Sequence, residues 1–425
     1  MVDLTQRDRS RINKLISTLN VMILLFGYEF CTVICSAVIG DVGNTQIVTI
    51  PFRAISLCVS IIAFLFNVKE KLFLNNPGKA FLILWGLIIC RFIYDYYVSY
   101  GEVDPRVLNK YWLFMICLTI VPLLSIFKSW RSIDFNKLLL YSFLLIGIAV
   151  VVSFFSNTAF QTASEERIDA NAALNTISSG HMGLSGIILS IFVVKKPYKV
   201  GLYQYLALPV FVISCLILLR SGSRGPLLSS LGIIVYCLIF GTKNTVRSLF
   251  TIVGLYCVWL IFSDDIVQII NDISPILKQR MFDRTDQLSD RSVFYEYAWN
   301  SFCESPIWGA HFAVKTSVKN IMYPHNIFLE VLMQLGIIGL TIYSYTLISA
   351  LKSVNCTLRR RTPGRWVSIL FLQMFFMLIV SGSMTLEPKY SILMGLVLIQ
   401  EYCNVDVVEY RVVGIRREVI SQNKR

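Results

Sequence analysis

The sequence predicts an all-α polytopic membrane protein, and three observations lead to this prediction. Hydrophobic residues make up 55% of the 425 residues, and only 15% are charged, whereas about 25% are charged in an average soluble protein. The mean hydropathy is +0.64. The apolar residues are gathered in runs long enough to cross a bilayer as helices. We therefore treat residues 1–425 as a single integral membrane domain.

About twelve apolar runs of this length follow one another along the chain. They are residues 17–40, 47–66, 79–98, 111–127, 138–155, 176–194, 202–219, 226–240, 246–263, 326–350, 366–386 and 389–404. The first run is too long for the apolar part of a cleaved signal peptide, and no small-residue cleavage site follows it. We therefore expect it to remain as a membrane anchor, and we predict about twelve transmembrane helices.

The basic residues predict on which side of the membrane each connection lies. Short cytoplasmic connections retain Lys and Arg, and most of the 39 Lys and Arg residues fall in the two ends and in every second connection. Both termini are therefore expected in the cytoplasm. The net charge of +13 follows from this topology and from contact with anionic membrane lipids, so it requires no nucleic acid. Among eleven cysteines only Cys303 lies in the large outer loop, so no disulfide framework is implied.

The connection between the ninth and tenth runs, residues 264–324, is much longer than usual, and such loops are commonly functional or disordered. Its residues 291–303 repeat apolar side chains at helical spacing, and Pro306 and Gly309 follow as helix-ending residues. We expect a helical subdomain on the outer surface, with Arg291 at the start of the helix. Asp264 and Asp265 either mark a solvated helix boundary or belong to a magnesium site.

A short turn between the seventh and eighth runs points to an anion. Residues 219–228, Leu-Arg-Ser-Gly-Ser-Arg-Gly-Pro-Leu-Leu, place Arg220 and Arg224 four residues apart around glycines. Guanidinium groups donate in pairs to phosphate oxygens, glycine permits close backbone approach, and the first amides of the next helix also favour an anion. This arginine turn, residues 220–226, therefore predicts a phosphate or diphosphate cradle. The alternative is that the arginines reach lipid headgroups.

One of only three histidines lies where the outer loop ends and an apolar run begins. In residues 321–330, Ile-Met-Tyr-Pro-His-Asn-Ile-Phe-Leu-Glu, we expect Pro324 in the first turn of a helix and His325 at its mouth. The positive end of the helix dipole disfavours imidazolium there, which leaves a neutral imidazole able to accept a proton. The other interpretation is a histidine that caps or lines the helix end. Asn326, beside it, is a further candidate.

Ionisable residues within the runs are also candidates, because an ionised group at the membrane centre costs roughly 2.5 to 3.5 kcal/mol. They are Glu29, Arg53, Arg91 and Asp95. Arg91 and Asp95 are four apart and can pair on one helix face. Such charges either line a path for a substrate or lock helices together. Glu387, in a short outer turn before Pro388, either faces the same cavity as His325 or is a solvated loop carboxylate.

These stretches together resemble the O-antigen ligase and O-antigen polymerase superfamily. The resemblance covers roughly residues 176–404 and rests on Ser221-Gly-Ser-Arg-Gly-Pro226, Asp290-Arg291, Ser305-Pro-Ile-Trp-Gly309, Pro324-His-Asn-Ile-Phe-Leu-Glu330 and Gly336-Ile-Ile-Gly339. It implies a metal-independent, GT-C-like glycosyltransferase of the bacterial inner membrane. Its periplasmic active site would move a glycan from undecaprenyl diphosphate to an acceptor hydroxyl, with residues 264–324 as the periplasmic loop.

The resemblance also implies roles for individual residues. Arg220 or Arg224, together with Arg291, would bind the diphosphate, and His325 would be the base that activates the acceptor. This agrees with the chemistry, since attack by a hydroxyl needs a base of near-neutral pKa and arginines stabilise a diphosphate leaving group without a metal. His181 either contacts the glycan or lipid diphosphate or is a lone histidine near a helix end. No zinc-binding spacing is present, and no cofactor is expected.

Three functions stay open at this point. A polymerase would extend a lipid-linked glycan with another lipid-linked repeat unit, under a chain-length regulator. A ligase would pass the finished glycan to lipid A-core. A lipid-linked glycan transporter would also explain the charges within the membrane, but no internal repeat of helices is visible. The arginine turn and the His325 stretch look more like the polymerase branch, so we expect a polymerase, with the ligase as the alternative.

Overall fold

A computed structural model describes residues 6–39, 46–73, 75–156, 176–195, 201–241, 287–317, 320–360 and 362–400, with a few single residues between 251 and 278. Within these residues, eight helices are long and apolar enough to cross a membrane, and two further apolar helices are shorter. The protein is thus an all-α polytopic membrane protein in its main architecture. The count of twelve stays a prediction, because most of the ninth run, residues 246–263, lies outside the described residues.

Each predicted run within the described residues is helical. The helices are α1 (Gln6–Ile39), α2 (Gln46–Phe66), α3 (Asn76–Val98), α4 (Pro105–Met115), α5 (Val121–Ser129), α6 (Phe135–Phe155), α7 (Thr176–Val194), α8 (Leu202–Arg220), α9 (Arg224–Phe240), α10 (Gln287–Glu304), α11 (Ile327–Arg360), α12 (Arg365–Val380) and α13 (residues 388–400). A π-helical turn, Ile116–Ile120, joins α4 to α5. The predicted run 366–386 was too long, since α12 ends at Val380.

Three glycines on α7 allow α8 and the arginine turn to pack closely against it. A Cβ atom at Gly183 would lie 2.8 Å from the carbonyl oxygen of Ser214, and one at Gly186 would collide with the Ser214 side chain. A Cβ atom at Gly180 would lie 2.6 Å from Cγ of Pro226. This spacing, glycine at every third residue, therefore brings the turn against the start of α7.

The outer loop contains both a helix and a hairpin. The helix α10 confirms the helical pattern predicted for residues 291–303. Beyond it, β1 (Val314–Ser317) and β2 (Asn320–Met322) pair as an antiparallel hairpin with an irregular register. The outer loop thus contains the predicted helix and, in addition, a hairpin that the sequence did not predict. Ala298 of α10 and Val314 of β1 pack with Met333 of α11 in a small core of their own.

The helix α11 is broken at Gly336, whose backbone has φ 60° and ψ −151°. The loop segment after α10 enters this break: the amide of Ile337 donates to the carbonyl of Pro306 at 2.8 Å, and the amide of Ala310 donates to that of Met333 at 3.0 Å. A Cβ atom at Gly336 would lie 2.5 Å from the backbone of Ile307. The break therefore serves as the socket for residues 306–310, and it holds the outer loop on the helices.

The start of α11 differs from the sequence prediction. The helix begins at Ile327, so Pro324 lies before it and not in its first turn. The N-cap is Asn326, whose side-chain oxygen accepts hydrogen bonds from the amides of Phe328 at 3.0 Å and Leu329 at 3.2 Å. An asparagine in this position satisfies two of the amides that a helix start leaves unpaired.

Candidate active site

His325 has the most unusual backbone in the described part of the chain. Its φ is 56°, and no other non-glycine residue described there has a positive φ. This left-handed conformation costs roughly 1–2 kcal/mol in a residue with a Cβ atom, and such strain clusters at functional sites. The ring lies 4.4 Å from that of Tyr323 and 5.7 Å from that of Phe294, between ring centroids. Its Nδ1 atom is buried without a hydrogen-bond partner among the described residues.

The imidazole of His325 is neutral at physiological pH. Burial first, and then the positive charge of Arg291, lower its pKa from 6.5 to about 4. Neutrality was predicted from the helix dipole, whereas burial and a neighbouring arginine are the causes here. A neutral ring with an unused Nδ1 can accept a proton, and a negative charge placed near Arg291 would raise the pKa towards neutral.

Arg291 and Asn326 both bind the carboxyl end of α12. The guanidinium of Arg291 donates to the carbonyl of Val380, and the side-chain amide of Asn326 donates to the carbonyl of Ile379 at 3.1 Å. Both contacts satisfy carbonyls left unpaired at a helix end, and Arg291 also offsets the negative end of the helix dipole. The two residues therefore fix the outer loop and the start of α11 to α12, beside His325.

Glu330, one turn into α11, organises the segment after α12. Its buried carboxylate accepts hydrogen bonds from the hydroxyls of Ser383 and Thr385 and, at 2.8 Å, from the amide of Met384. The amide of Glu387 in turn donates to the carbonyl of Ser383 at 3.0 Å. Glu330 thereby positions the turn that carries Glu387.

A cavity of about 620 Å³ opens between α1, α2, α4, α7, α12 and the segment before α13. Glu387 and His181 both line it, which brings together two of the residues singled out from the sequence. Its other charged or phenolic side chains are Tyr28, Glu29, Arg53, Arg106, Lys110, Tyr323 and Lys389. His325, Arg220, Arg224 and Arg291 are not among the lining residues. This cavity is called the polar cavity below.

Glu387 faces the polar cavity and is not a solvated loop carboxylate. Its pKa is raised from 4.5 to about 7, because burial and then the charge of Glu29 raise it more than Lys389 and Lys110 lower it. Glu387 does not share this cavity with His325, which is not among the lining residues. Tyr323 is the link, because its side chain lines the cavity and its ring contacts that of His325.

His181 lies on the wall of the polar cavity, near the start of α7. Gln373 of α12 donates from its side-chain nitrogen to the carbonyl of His181 at 2.9 Å and approaches Nδ1 at 3.4 Å. The Nε2 atom is buried without a partner among the described residues. The ring is thus held from one side and leaves one nitrogen for a ligand.

The two arginines of the turn lie at the facing ends of α8 and α9. Arg220 is the last residue of α8 and Arg224 the first of α9, and Gly222 between them has φ 56°. The turn packs on Gly180, next to His181. It therefore lies close to the cavity wall, although neither arginine lines the polar cavity.

The charges of α3 have a different environment. Arg91 forms an ion pair with Asp95 at 3.6 Å and donates to the carbonyls of Trp308 at 3.0 Å and Gln334 at 3.1 Å, as well as to those of Gly309 and Ala310. Asp95 accepts from the amide of Phe312. This pair locks α3 to the outer loop and to the break in α11, so the locking interpretation applies to it.

Lys110, Lys389 and Tyr323 were not selected from the sequence. The signal for the two lysines was available, since both belong to the cations that the topology places in outer connections instead of cytoplasmic ones. Tyr323 carried no such signal, because its contact with His325 depends on the path of the chain between β2 and α11. No group of three His, Cys, Asp or Glu residues in the described part of the chain could hold a metal ion. Asp264 lies outside the described residues.

Comparison with known proteins supports the resemblance found in the sequence. Residues 209–344 match the model of a family described as O-antigen ligase. The matched segment contains the arginine turn, Arg291, His325 and the glycine break of α11. Neither a search of curated proteins nor a search of solved structures gave a match. The similarity to this family covers residues 209–344, about a third of the chain.

Proposed function

We propose, from the O-antigen ligase domain at residues 209–344, that the chain is a glycosyltransferase that polymerises lipid-linked oligosaccharide units. Its substrates would be repeat units of O-antigen or a related surface polysaccharide carried on undecaprenyl diphosphate. The reaction takes place at the periplasmic face of the bacterial inner membrane, with about twelve GT-C-like transmembrane helices and both termini in the cytoplasm. The enzyme uses neither a metal nor another cofactor.

The strained, half-buried His325 is the observation that supports this proposal most strongly. The fold holds a histidine in a left-handed conformation, and it buries Nδ1 without giving it a partner in the described residues. Both features lower stability, since strain and an unpaired buried polar atom each cost roughly 1–3 kcal/mol. A residue that serves only as a helix cap would need neither, because Asn326 already performs the capping.

The reaction proceeds by direct displacement. His325 takes the proton from the acceptor hydroxyl, whose oxygen attacks the anomeric carbon of the donor sugar. The bond between that carbon and the diphosphate oxygen breaks, and the electron pair leaves with the diphosphate. Arg220, Arg224 and Arg291 stabilise the leaving group by charge-assisted hydrogen bonds. A bound diphosphate also offsets the charge of Arg291, so that the pKa of His325 rises into the range useful for a base.

The ligase is the second candidate, and the description of the matched family favours it. A deletion of the gene separates the two. A strain that lacks a polymerase makes lipopolysaccharide with core plus a single repeat unit, whereas a strain that lacks a ligase makes core alone. A lipid-linked glycan transporter is the third candidate, and its loss would keep lipid-linked units from reaching the outer face.

The test of the catalytic assignment is His325→Gly in the complemented deletion strain. Glycine accepts the left-handed backbone without strain, so we expect a protein with an unchanged or higher melting temperature. Loss of the base should lower the rate roughly 100- to 10,000-fold, which removes the ladder of long glycan chains on a gel. The control is His311→Ala, because His311 contacts Glu304 at 3.5 Å and the ring of Tyr297 in the outer loop, whereas His325 contacts Tyr323 and Phe294. A full ladder from His325→Gly would reject the base assignment.

A further inference from the structure

The polar cavity contains two cations that the protein does not neutralise by an ion pair. Arg53 and Lys110 both line it, and no carboxylate lies within 4.0 Å of either among the described residues. The charges of Arg53 and of Glu387 both act on Lys110. The guanidinium of Arg53 rests 4.9 Å from the centroid of the Phe114 ring. Two like charges placed on one cavity leave room for an anion between them.

Glu387 is the carboxylate whose charge acts on Lys110, and its own pKa is raised to about 7, while the other carboxylate of the cavity is already engaged. Glu29, which lines the same cavity, forms an ion pair with Lys389 at 2.8 Å. The Nζ atom of Lys389 also lies 4.3 Å from the centroid of the Phe26 ring. Arg106, at the same cavity, pairs with Asp104 at 3.4 Å. Arg53 and Lys110 are thus distinguished from the other cavity cations, each of which has a carboxylate partner.

Helix ends add to the positive potential. First-turn residues of four helices line the cavity: Thr49 of α2, Arg106 of α4, Ile177 of α7 and Pro388 of α13. The amino end of a helix carries a partial positive charge and favours anions. The carboxyl end of α12, which also reaches the cavity, has its last carbonyls bound by Arg291 and Asn326. The helix ends and the unpaired cations therefore both make the electrostatic potential in the cavity positive.

Most of the rest of the wall is apolar, although Asn109, Ser178 and Ser381 also line it. The apolar part includes Leu24, Phe52, Leu113, Phe114, Met374 and Leu386. An occupant must therefore present an anionic head and a hydrocarbon body, which is the chemistry of an isoprenoid phosphate or diphosphate.

We propose that the polar cavity binds the phosphate or diphosphate head of a lipid-linked substrate through Arg53 and Lys110, separately from the arginine turn. The separation follows from the lining, which contains none of Arg220, Arg224 and Arg291. The inference rests on the proposed function, under which both the donor and the acceptor carry a lipid diphosphate. Such a reaction needs two anion sites, and the structure offers two groups of cations.

Binding to the purified full-length protein in nanodiscs tests the proposal, with undecaprenyl diphosphate, undecaprenyl phosphate and undecaprenol as probes. We expect two equivalents of the diphosphate per wild-type protein and at least tenfold weaker binding of undecaprenol. The double variant Arg53→Gln and Lys110→Gln should bind one equivalent. The variant Arg224→Gln should also bind one equivalent, and a triple variant that carries all three substitutions should bind none. The control is Arg131→Gln, a cation 61% exposed and 4.0 Å from Glu70.

Several outcomes would overturn the inference. Unchanged stoichiometry and affinity in the double variant would exclude Arg53 and Lys110, and equal binding of undecaprenol would exclude the phosphate. If phosphatidylglycerol bound as tightly as undecaprenyl diphosphate and competed with it, the cavity would be an ordinary site for lipid headgroups. Should the double variant not fold, Lys110→Gln alone, at an exposed position, should weaken binding of one equivalent at least tenfold. His325→Gly should keep both equivalents, so failure of the catalytic proposal is distinguishable from failure of this one.

Discussion

Two sets of charged residues lie among the membrane helices, and their surroundings differ. Arg91 and Asp95 of α3 bind each other and the backbone of the outer loop. Arg53 of α2 and Glu29 of α1 line a cavity. In the first set the hydrogen bonds go to the protein itself. In the second, Arg53 has no carboxylate partner among the described residues.

The comparison shows that a charge within an apolar helix does not by itself indicate a path for a substrate. The desolvation cost applies to both sets, but the compensation differs. For Arg91 it comes from carbonyls at the break of α11, and for Arg53 only partly from the Phe114 ring. A ligand or water can supply further stabilisation of Arg53. Removing a charge should therefore affect folding in one set and binding in the other.

The largest effect should come from Arg91→Met. This change leaves the buried Asp95 carboxylate without its cation and four backbone carbonyls without their donor. Breaking a buried pair in this way typically costs about 3–5 kcal/mol, so we expect poor expression or a melting temperature lower by many degrees in detergent. Arg53→Met, in contrast, should leave the free energy of unfolding within about 1 kcal/mol of the wild type.

The matched control for Arg91→Met is Arg131→Met, whose side chain is 61% exposed in its pair with Glu70. An exposed pair contributes about 0–1 kcal/mol, so this variant should unfold at nearly the wild-type temperature. If Arg91→Met also unfolded at nearly the wild-type temperature, the distinction between the two sets of charges would be lost.

The second prediction concerns the socket in which the outer loop is held. Gly336→Ala places a Cβ atom against the backbone of Pro306 and Ile307, in a left-handed conformation that alanine adopts with strain. Strain and overpacking together should cost about 2–4 kcal/mol. Gly86→Ala in α3 is the control, since nothing lies within 4 Å of its Cβ position, and it should be neutral or stabilising by about 0.4–1 kcal/mol. Equal melting temperatures for the two variants would mean that the loop does not depend on this break.

The sequence predicted the helices well because hydropathy and length decide them. It also singled out His325 and Arg291, since a histidine at a loop end and a cation in an outer connection stand out by position alone, and their roles stay predictions. It did not predict the break at Gly336 or the hairpin of residues 314–322, because both depend on backbone contacts between distant segments. For the same reason the i,i+4 spacing of Arg91 and Asp95 was compatible with either role.

The smallest effect is expected in the polar cavity itself, where Glu387→Gln should stabilise the protein at alkaline pH. The pKa of this carboxyl is 4.5 in an unfolded chain and about 7 in the fold, because of burial and then Glu29, opposed by Lys389 and Lys110. Between these values the folded protein retains a proton that the unfolded chain has lost. Stability therefore falls as the pH rises from 4.5 to 7 and stays lower above it.

The glutamine variant lacks this titration, so the difference between variant and wild type isolates Glu387. His325 also titrates in the acid range, but it does so in both proteins and cancels. We expect the variant to be more stable at pH 8 by on the order of 1 kcal/mol, with little difference at pH 5. The measurement is a melting temperature across that range in detergent. A variant less stable than the wild type at pH 8 would mean that Glu387 is held as a carboxylate by Lys110 and Lys389, so that the cavity is neutralised from within like the lock around Arg91.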